Sequence, residues 1–428
     1  MTASGSDGLS RRDVLKGAVA VGGAVGLAAC VDRQGSVDVP TGPEDLASLP
    51  DRQHAWNAVL DRDEAGNPLP PRHHVLASFD LAGEGPPTAA DRRTLEDALD
   101  SLNRAYRWGS DGLLFTVGYS PAYFDRFDEP LPASVDLPAP EPLAPFEDPA
   151  MDAADALVHL ASDHPQVVLR AERALRGETD ALNGVDVAAA ATEVLSATDR
   201  RTGFVGAGLP AEHDDVEGVP TGAVPTAAPM FMGFKSAFVE NQASEDRVTI
   251  DAGPFAGGTT QHVSQLHLDL DQWYLQDDRY QRVAKMFCPH HAEHDVVEGV
   301  GENLGTASGM GQCADPIAAA REYGVVGHSQ KMVPVREDGS PIILRRDFDT
   351  TDGGRAGLHF VALQEAIADF VRTREAMNGT DVADETAVGP RTNNGILQYL
   401  DVVRRGNFLV PPRARRALPT PAGEEDRS

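Results

Sequence analysis

From Cys288 to His294 the chain reads Cys-Pro-His-His-Ala-Glu-His, a dense cluster of side chains able to hold a metal. His290, Glu293 and His294 keep the His-x-x-Glu-His spacing. On a helix that spacing turns two imidazoles to one side for zinc and leaves a carboxylate to activate water. Cys288 or Cys313 can add a thiolate. Pro289 at the head of the segment and the lack of a distant third-ligand motif argue against a zinc centre. A polar helix end is the competing reading, and a zinc-dependent hydrolase on His290, Glu293 and His294 stays an alternative. Tyr106, Trp108, Tyr119 and Trp273 have the chemistry to pass electrons from bulky donors, but such aromatics are more often core.

Arg11-Arg12 is followed by an apolar run, Gly17 to Leu27, that ends in Leu27-Ala-Ala-Cys30. A positive start, a short apolar middle and a small-residue end make an export signal, too short for a stable membrane span. The twin arginine predicts the Tat route. Leu-Ala-Ala-Cys resembles a lipobox, which would make Cys30 a lipidated first residue on the outer face of the membrane. A plain cleavable signal with a chance cysteine is the alternative. With Cys30 so used, Cys288 and Cys313 can pair outside the cell, although spacing does not decide it.

The formal net charge is −29, from 66 acidic and 37 basic residues. Lys16, Lys235, Lys285 and Lys331 are the only lysines, so 33 of the basic residues are arginine. This balance predicts a surface adapted to high salt, where dense carboxylates keep water and cations bound. It argues against nucleic acid, whose phosphates need basic patches.

The elements that must position any site follow from periodicity. Residues 31–72, rich in Pro, Gly, Asp and Ser, predict a flexible tether. A strand from His74 to Leu81 precedes a helix whose Leu95, Ala98, Leu99, Leu102 and Tyr106 form one stripe. Leu113 to Gly118 is the next strand. After a proline-rich loop the order repeats, with a strand from Ala156 to Ala161, a helix led by Pro165 and a strand between Val194 and Val205. This β-α-β…β-α-β order predicts an α+β fold, a ferredoxin-like half over residues 73–225. A second such half over 226–412 has Leu266, Leu268 and Leu270 alternating in a strand. A helix holding Tyr280, Val283 and Phe287 follows, then strands at Ile342–Phe348 and Leu358–Val361, and a helix from Ala362 to Met377. Asp295 to Val325 reads as a long loop with a short helix at Pro316–Tyr323, and 413–428 as a disordered tail.

Several segments, in order, resemble the dye-decolourising peroxidases. Phe115-Thr-Val-Gly-Tyr-Ser-Pro121 is similar to that family's strand and Gly-x-Gly/Ser-Pro turn, and Asp155 to Gln166 to its acidic-start strand with Asp-x-Pro-x. His267-Leu-Asp-Leu-Asp-Gln-Trp273, Asn394-Gly-Ile-Leu-Gln-Tyr399 and Pro411-Pro412 fit later segments. Gly327-His328 and, seventeen residues on, Ile343-Leu344-Arg345 keep the spacing of the family's axial histidine and distal arginine. The resemblance implies two ferredoxin-like halves, haem b ligated at its iron by His328, and Arg345 as distal cation. It implies a peroxidase taking hydrogen peroxide and an organic electron donor, and leaves room for a homo-oligomer. A neutral imidazole suits iron, and a guanidinium that keeps its proton suits peroxide and a departing hydroxide. Strand alternation puts Arg345 on the side of Ile343, away from Leu344.

The chain departs from the family at Gly233-Phe234-Lys235-Ser236-Ala237, which resembles Gly-Phe-x-Asp-Gly with Ser236 in place of the aspartate. Gly233 and Phe234 are the candidate cofactor contacts there. Ser236 is a poor proton shuttle near neutral pH, which leaves three readings open: Arg345 suffices alone, Glu240, in a Glu-Asn pair displaced by one residue, takes over as acid-base, or turnover is weak and the protein mainly binds haem. A non-catalytic haem- or iron-handling lipoprotein is the other alternative.

Overall fold

The computed structural model describes residues 38–422. The leader, with Arg11, Arg12 and Cys30, lies outside the described residues. The first half runs β1 (His73–Leu81), α1 (Ala89–Ala105), β2 (Leu114–Tyr119), β3 (Ala156–Ser162), α2 (Pro165–Leu175) and β4 (Leu195–Phe204). The second runs β5 (Thr259–Leu268), α3 (Arg279–Met286), α4 (Pro289–Glu293), α5 (Pro316–Tyr323), α6 (His328–Lys331), β6 (Leu344–Arg345), β7 (Phe348–Thr350), β8 (Gly357–Gln364), α7 (Ile367–Asn378) and β9 (Leu400–Val410).

The strands pair in the order β4-β1-β3-β2 in the first half and β9-β5-β8 with β6 and β7 in the second, all antiparallel. Each half is thus the expected ferredoxin-like unit. The halves do not stand apart: Leu409 pairs with Tyr119 and Asp349 with Phe204, so one sheet closes on itself as a barrel. The reason is visible in β1, which is buried on both faces. Val75, Ala77 and Phe79 join the core under α1 and α2, while Leu76 turns inward with Leu157, Val263, Phe348 and Phe408. His74 also points inward, stacked on Phe348 at 4.3 Å. α1 carries its apolar stripe as expected and opens with a capping box from Thr88 and Asp91.

Several boundaries differ from expectation. Residues 38–72 are no tether. Trp56 is buried, and the Gln53 amide donates to the Val117 and Pro411 carbonyls while its oxygen accepts from the Val117 N–H. A polar segment docks here because its side chains satisfy strand-end backbone groups. The tail is also ordered as far as residue 422. Buried Arg416 pairs with Glu96 and Asp100, and the Leu418 N–H donates to the Tyr119 hydroxyl. Ala362, Leu363 and Gln364 belong to β8 rather than to the helix, which starts at Ile367. The segment from Ile342 to Phe348 is broken into β6 and β7. Cys288 and Cys313 form a disulfide, which pins the 295–325 loop to the start of α4.

Candidate active site

Gly327 brings His328 into place. It packs so tightly on the Phe287 carbonyl that a Cβ would overlap that oxygen. Two backbone bonds then clamp the approach, from the Val326 N–H to Asn393 O at 3.1 Å and from the Gly395 N–H to Val326 O at 2.9 Å. Gly395, at φ 62°, lies where a Cβ would come within 3.1 Å of the His328 backbone. Lys331, one turn on, donates to the Asn394 carboxamide oxygen at 2.6 Å. The Asn-Gly of the 394–399 motif therefore serves to seat the histidine. His328 lines a large cavity between the second-half sheet face, α6, α7 and the loop, with about 1930 Å³ of empty space counting its open mouth. Burial, aided by Lys331, Arg345 and Arg374, lowers its pKa to about 3. The ring is therefore neutral at any ordinary pH, as a metal ligand must be. Among the described residues its buried Nδ1 has no hydrogen-bond partner.

Arg345 ends β6, in register with Ala362 of β8. Ile343, Arg345, Asp347 and Asp349 all line the same cavity, the period of two expected of extended chain. Leu344 turns to a separate cluster with Val248 and Leu363. Arg346 turns the other way too, stacking on Trp56 at 4.1 Å and pairing with Glu245 at 3.0 Å. The Arg345 N–H donates to Gln242 Oε1 at 2.9 Å, and its guanidinium lies 3.9 Å from the Asp347 carboxylate. Burial raises the Asp347 pKa to about 6 against the opposing pull of Arg345 and the Val361 N–H. Burial also raises that of Asp349 well above the carboxylate range, although the Phe231 N–H donates to it at 2.6 Å.

The 233–241 segment meets this wall. Phe234 and Ser236 line the cavity, Phe234 set edge-on to Phe287 at 5.4 Å. Gly233 is not a lining residue. It is a turn at φ 81° tucked against the Tyr274 hydroxyl, itself tied to Phe231 O at 2.7 Å. Glu240 does not replace the missing aspartate. It is exposed, and its carboxylate accepts from Thr306 Oγ1 at 2.5 Å. The displaced register sends Asn241, not Glu240, to the cavity.

Sequence reasoning missed a second charged wall. Glu147, Arg374 and Arg405 are buried together, Arg405 donating to Glu147 at 2.7 Å and Arg374 bonded to the other carboxylate oxygen. All three line the cavity, and among the described residues Arg405 Nε and Nη1 have no partner. Burial works to raise the Glu147 pKa, but Arg374 and Arg405 outweigh it and hold it down. The group is one positive charge in excess. The three residues come from three distant segments, and no local motif marks them.

The His290, Glu293 and His294 side chains do not converge on a metal. The two imidazoles stack at 4.2 Å, Glu293 accepts from the Tyr323 hydroxyl at 3.0 Å, and His294 Nδ1 bonds to His290 O at 3.0 Å. α4 is too short to present the spacing as one helical face. Cys288 and Cys313 do meet His291, but their sulfurs are bonded to each other. Tyr106, Trp108, Tyr119 and Trp273 are buried.

A family model described as "Family of unknown function (DUF7405)" matches residues 71–412. The chain belongs to this family. No curated protein matches the DUF7405 chain. Among solved structures it is similar to ferric DtpA from Streptomyces lividans, at 18% identity and a TM-score of 0.56, covering 88% of this chain and 95% of that one. A DypB variant from Rhodococcus jostii RHA1 in complex with heme matches at 15% identity and a TM-score of 0.53, covering 85% and 98%. The dye-decolorizing protein from V. cholerae matches at 16% and 0.51, covering 84% and 98%. At these identities the likeness establishes the fold, which is that of the dye-decolourising-type peroxidases.

The DUF7405 cavity suits a flat, largely apolar, anionic macrocycle. Met230, Met232, Phe234, Phe287 and Phe360 provide apolar walls. His328 supplies a neutral nitrogen, and Arg374 and Arg405 supply the positive excess that a carboxylate-bearing ligand needs.

Proposed function

We propose that this chain binds haem b through His328 and is a peroxidase, reducing hydrogen peroxide at the expense of an organic donor. The observation that carries the proposal is that His328 and Arg345, on separate elements, line one cavity with apolar walls and a positive excess at Arg374 and Arg405. Bound there, haem would supply the electrons for O–O cleavage. His328, held neutral by burial, would hold the haem iron. Arg345 would hold peroxide by hydrogen bonds and stabilise negative charge as the bond breaks. Phe234 and the methionines would exclude bulk water, strengthening both interactions. Arg374 and Arg405 would receive the haem carboxylates. The twin arginine, the apolar run and Cys30 support export by the Tat route and a lipid anchor on the outer face of the membrane. The acidic balance supports work at high salt.

A spectrum of the protein produced with haem and purified in high salt tests this. The expected result is a stoichiometric Soret band that shifts when peroxide is added and is lost in His328→Ala. No Soret band would overturn the reading. A band indifferent to peroxide would favour a haem-handling protein, the reading that Ser236 in place of aspartate supports.

A further inference from the structure

We propose that Asp347 is the proton-transfer residue of this cavity, in the role that neither Ser236 nor Glu240 can fill. The inference rests on the haem-peroxidase reading and names the acid-base that reading otherwise lacks. Ser236 lines the cavity but carries a hydroxyl that ionises far above neutral pH. Glu240 faces solvent. Asp347 lines the cavity two residues beyond Arg345, on the same side of the chain, with its side chain only 9% exposed. Its position is fixed, because Oδ1 accepts from the Val361 N–H of β8 at 3.1 Å. Oδ2 lies 3.9 Å from the Arg345 guanidinium, too far for a direct hydrogen bond and wide enough for a small ligand to engage both groups.

The charged groups facing Asp347 are Arg345 on β6 and Asp349 on β7. Arg345 favours the ionised form. Asp349 is buried deeper, its carboxylate already accepting from the Phe231 N–H, and burial raises its pKa well above the ordinary carboxylate value. With a midpoint near 6, Asp347 is ionised at neutral pH yet basic enough to take a proton, the balance that acid-base catalysis requires. The step balances simply. Asp347 removes the proton from one peroxide oxygen and returns it to the other. That oxygen already carries its own proton, so it leaves as water; bound haem would supply the two electrons and retain the other oxygen.

Asp347→Asn, loaded with haem, tests the assignment beside the wild type and Asp347→Glu. The expected result is an unchanged Soret stoichiometry and a fall in the rate of reaction with peroxide of about 10²- to 10⁴-fold. The wild-type rate should depend on a group titrating near 6, Asp347→Asn should lose that dependence, and Asp347→Glu should recover part of the rate. An independent readout is the carbon NMR titration of Asp347 in the haem-free chain, which should show a carboxyl midpoint well above that of an exposed aspartate. Haem-loaded Asp347→Asn reacting at the wild-type rate, or an ordinary midpoint, would overturn the proposal. Failure of the wild type to bind haem would instead overturn the functional reading. If Asp347→Asn does not fold, the glutamate variant's rate and the titration decide.

Discussion

Ala237 adopts a left-handed backbone, φ 60°, at the place where the resembled motif has glycine. For an L-residue with a Cβ this conformation costs about 1–2 kcal/mol, and glycine would lose part of that gain to chain entropy. Ala237→Gly is therefore expected to stabilise the protein by roughly 1 kcal/mol, read from the midpoint of a denaturant titration in high salt. A lower midpoint would mean that the turn is set by something other than its backbone. The turn carries no acid at position 236, yet the segment frames the cavity through Phe234 and Ser236. The same separation of shape from chemistry explains Asp347. The alternation that set Arg345 beside Ile343 also sets residue 347 there, so its position was legible in the sequence. Its burial was not, because that depends on β8 supplying Val361 and on the 233–241 turn closing over the wall.

The elements that deliver the two central residues are short, and neighbours hold them. α6 has four residues, too few to be stable alone, and it depends on Gly327 lying against Phe287 and on the 393–395 turn. Gly327→Ala must push α6 off the end of α3. The expected cost is about 2–4 kcal/mol, together with loss of haem retention at a temperature where the fold survives, measured by melting and by Soret absorbance on one sample. Retention of haem would show that α6 can shift without moving His328. At this scale the sequence was uneven. The first-half strands and α1 stood out because each is bounded by turn residues and shows one clean period. β9 was not foreseen, since Asp401, Arg404, Arg405 and Asn407 interrupt it. Three of those groups reach partners far away in sequence, Arg404 at Asp152, Arg405 at Glu147 and Asn407 at the Pro138 carbonyl. β8 and α7 were merged at Ala362 because a buried strand and a helix start can share one apolar run.

Closure of the barrel puts an unusual number of histidines where water cannot reach them. His54, His74 and His262, like His328, have pKa values lowered to about 3, chiefly by burial, His73 is lowered to about 4, and His159 is also well below the ordinary range. Each stays neutral in the folded chain but takes up a proton near 6.5 once unfolded. The stability that each contributes is therefore complete above about pH 6.5 and is lost as pH falls toward the folded value. Asp347 and Asp349 act in the opposite sense. Their raised values mean that the folded state binds their protons first, so they add stability as pH falls, Asp347 through about 6. His213, His267, His291 and His359 are lowered too, so the histidines outnumber the raised carboxyls, which also include Asp163, Glu365 and Asp369. The melting temperature at constant high salt is expected to fall continuously from about pH 7 to about pH 5, with the unfolded state taking up several more protons than the folded. A melting temperature that is flat or rising over that interval would show that the histidines inside the barrel are charged in the folded protein. It would also remove the basis for a neutral His328.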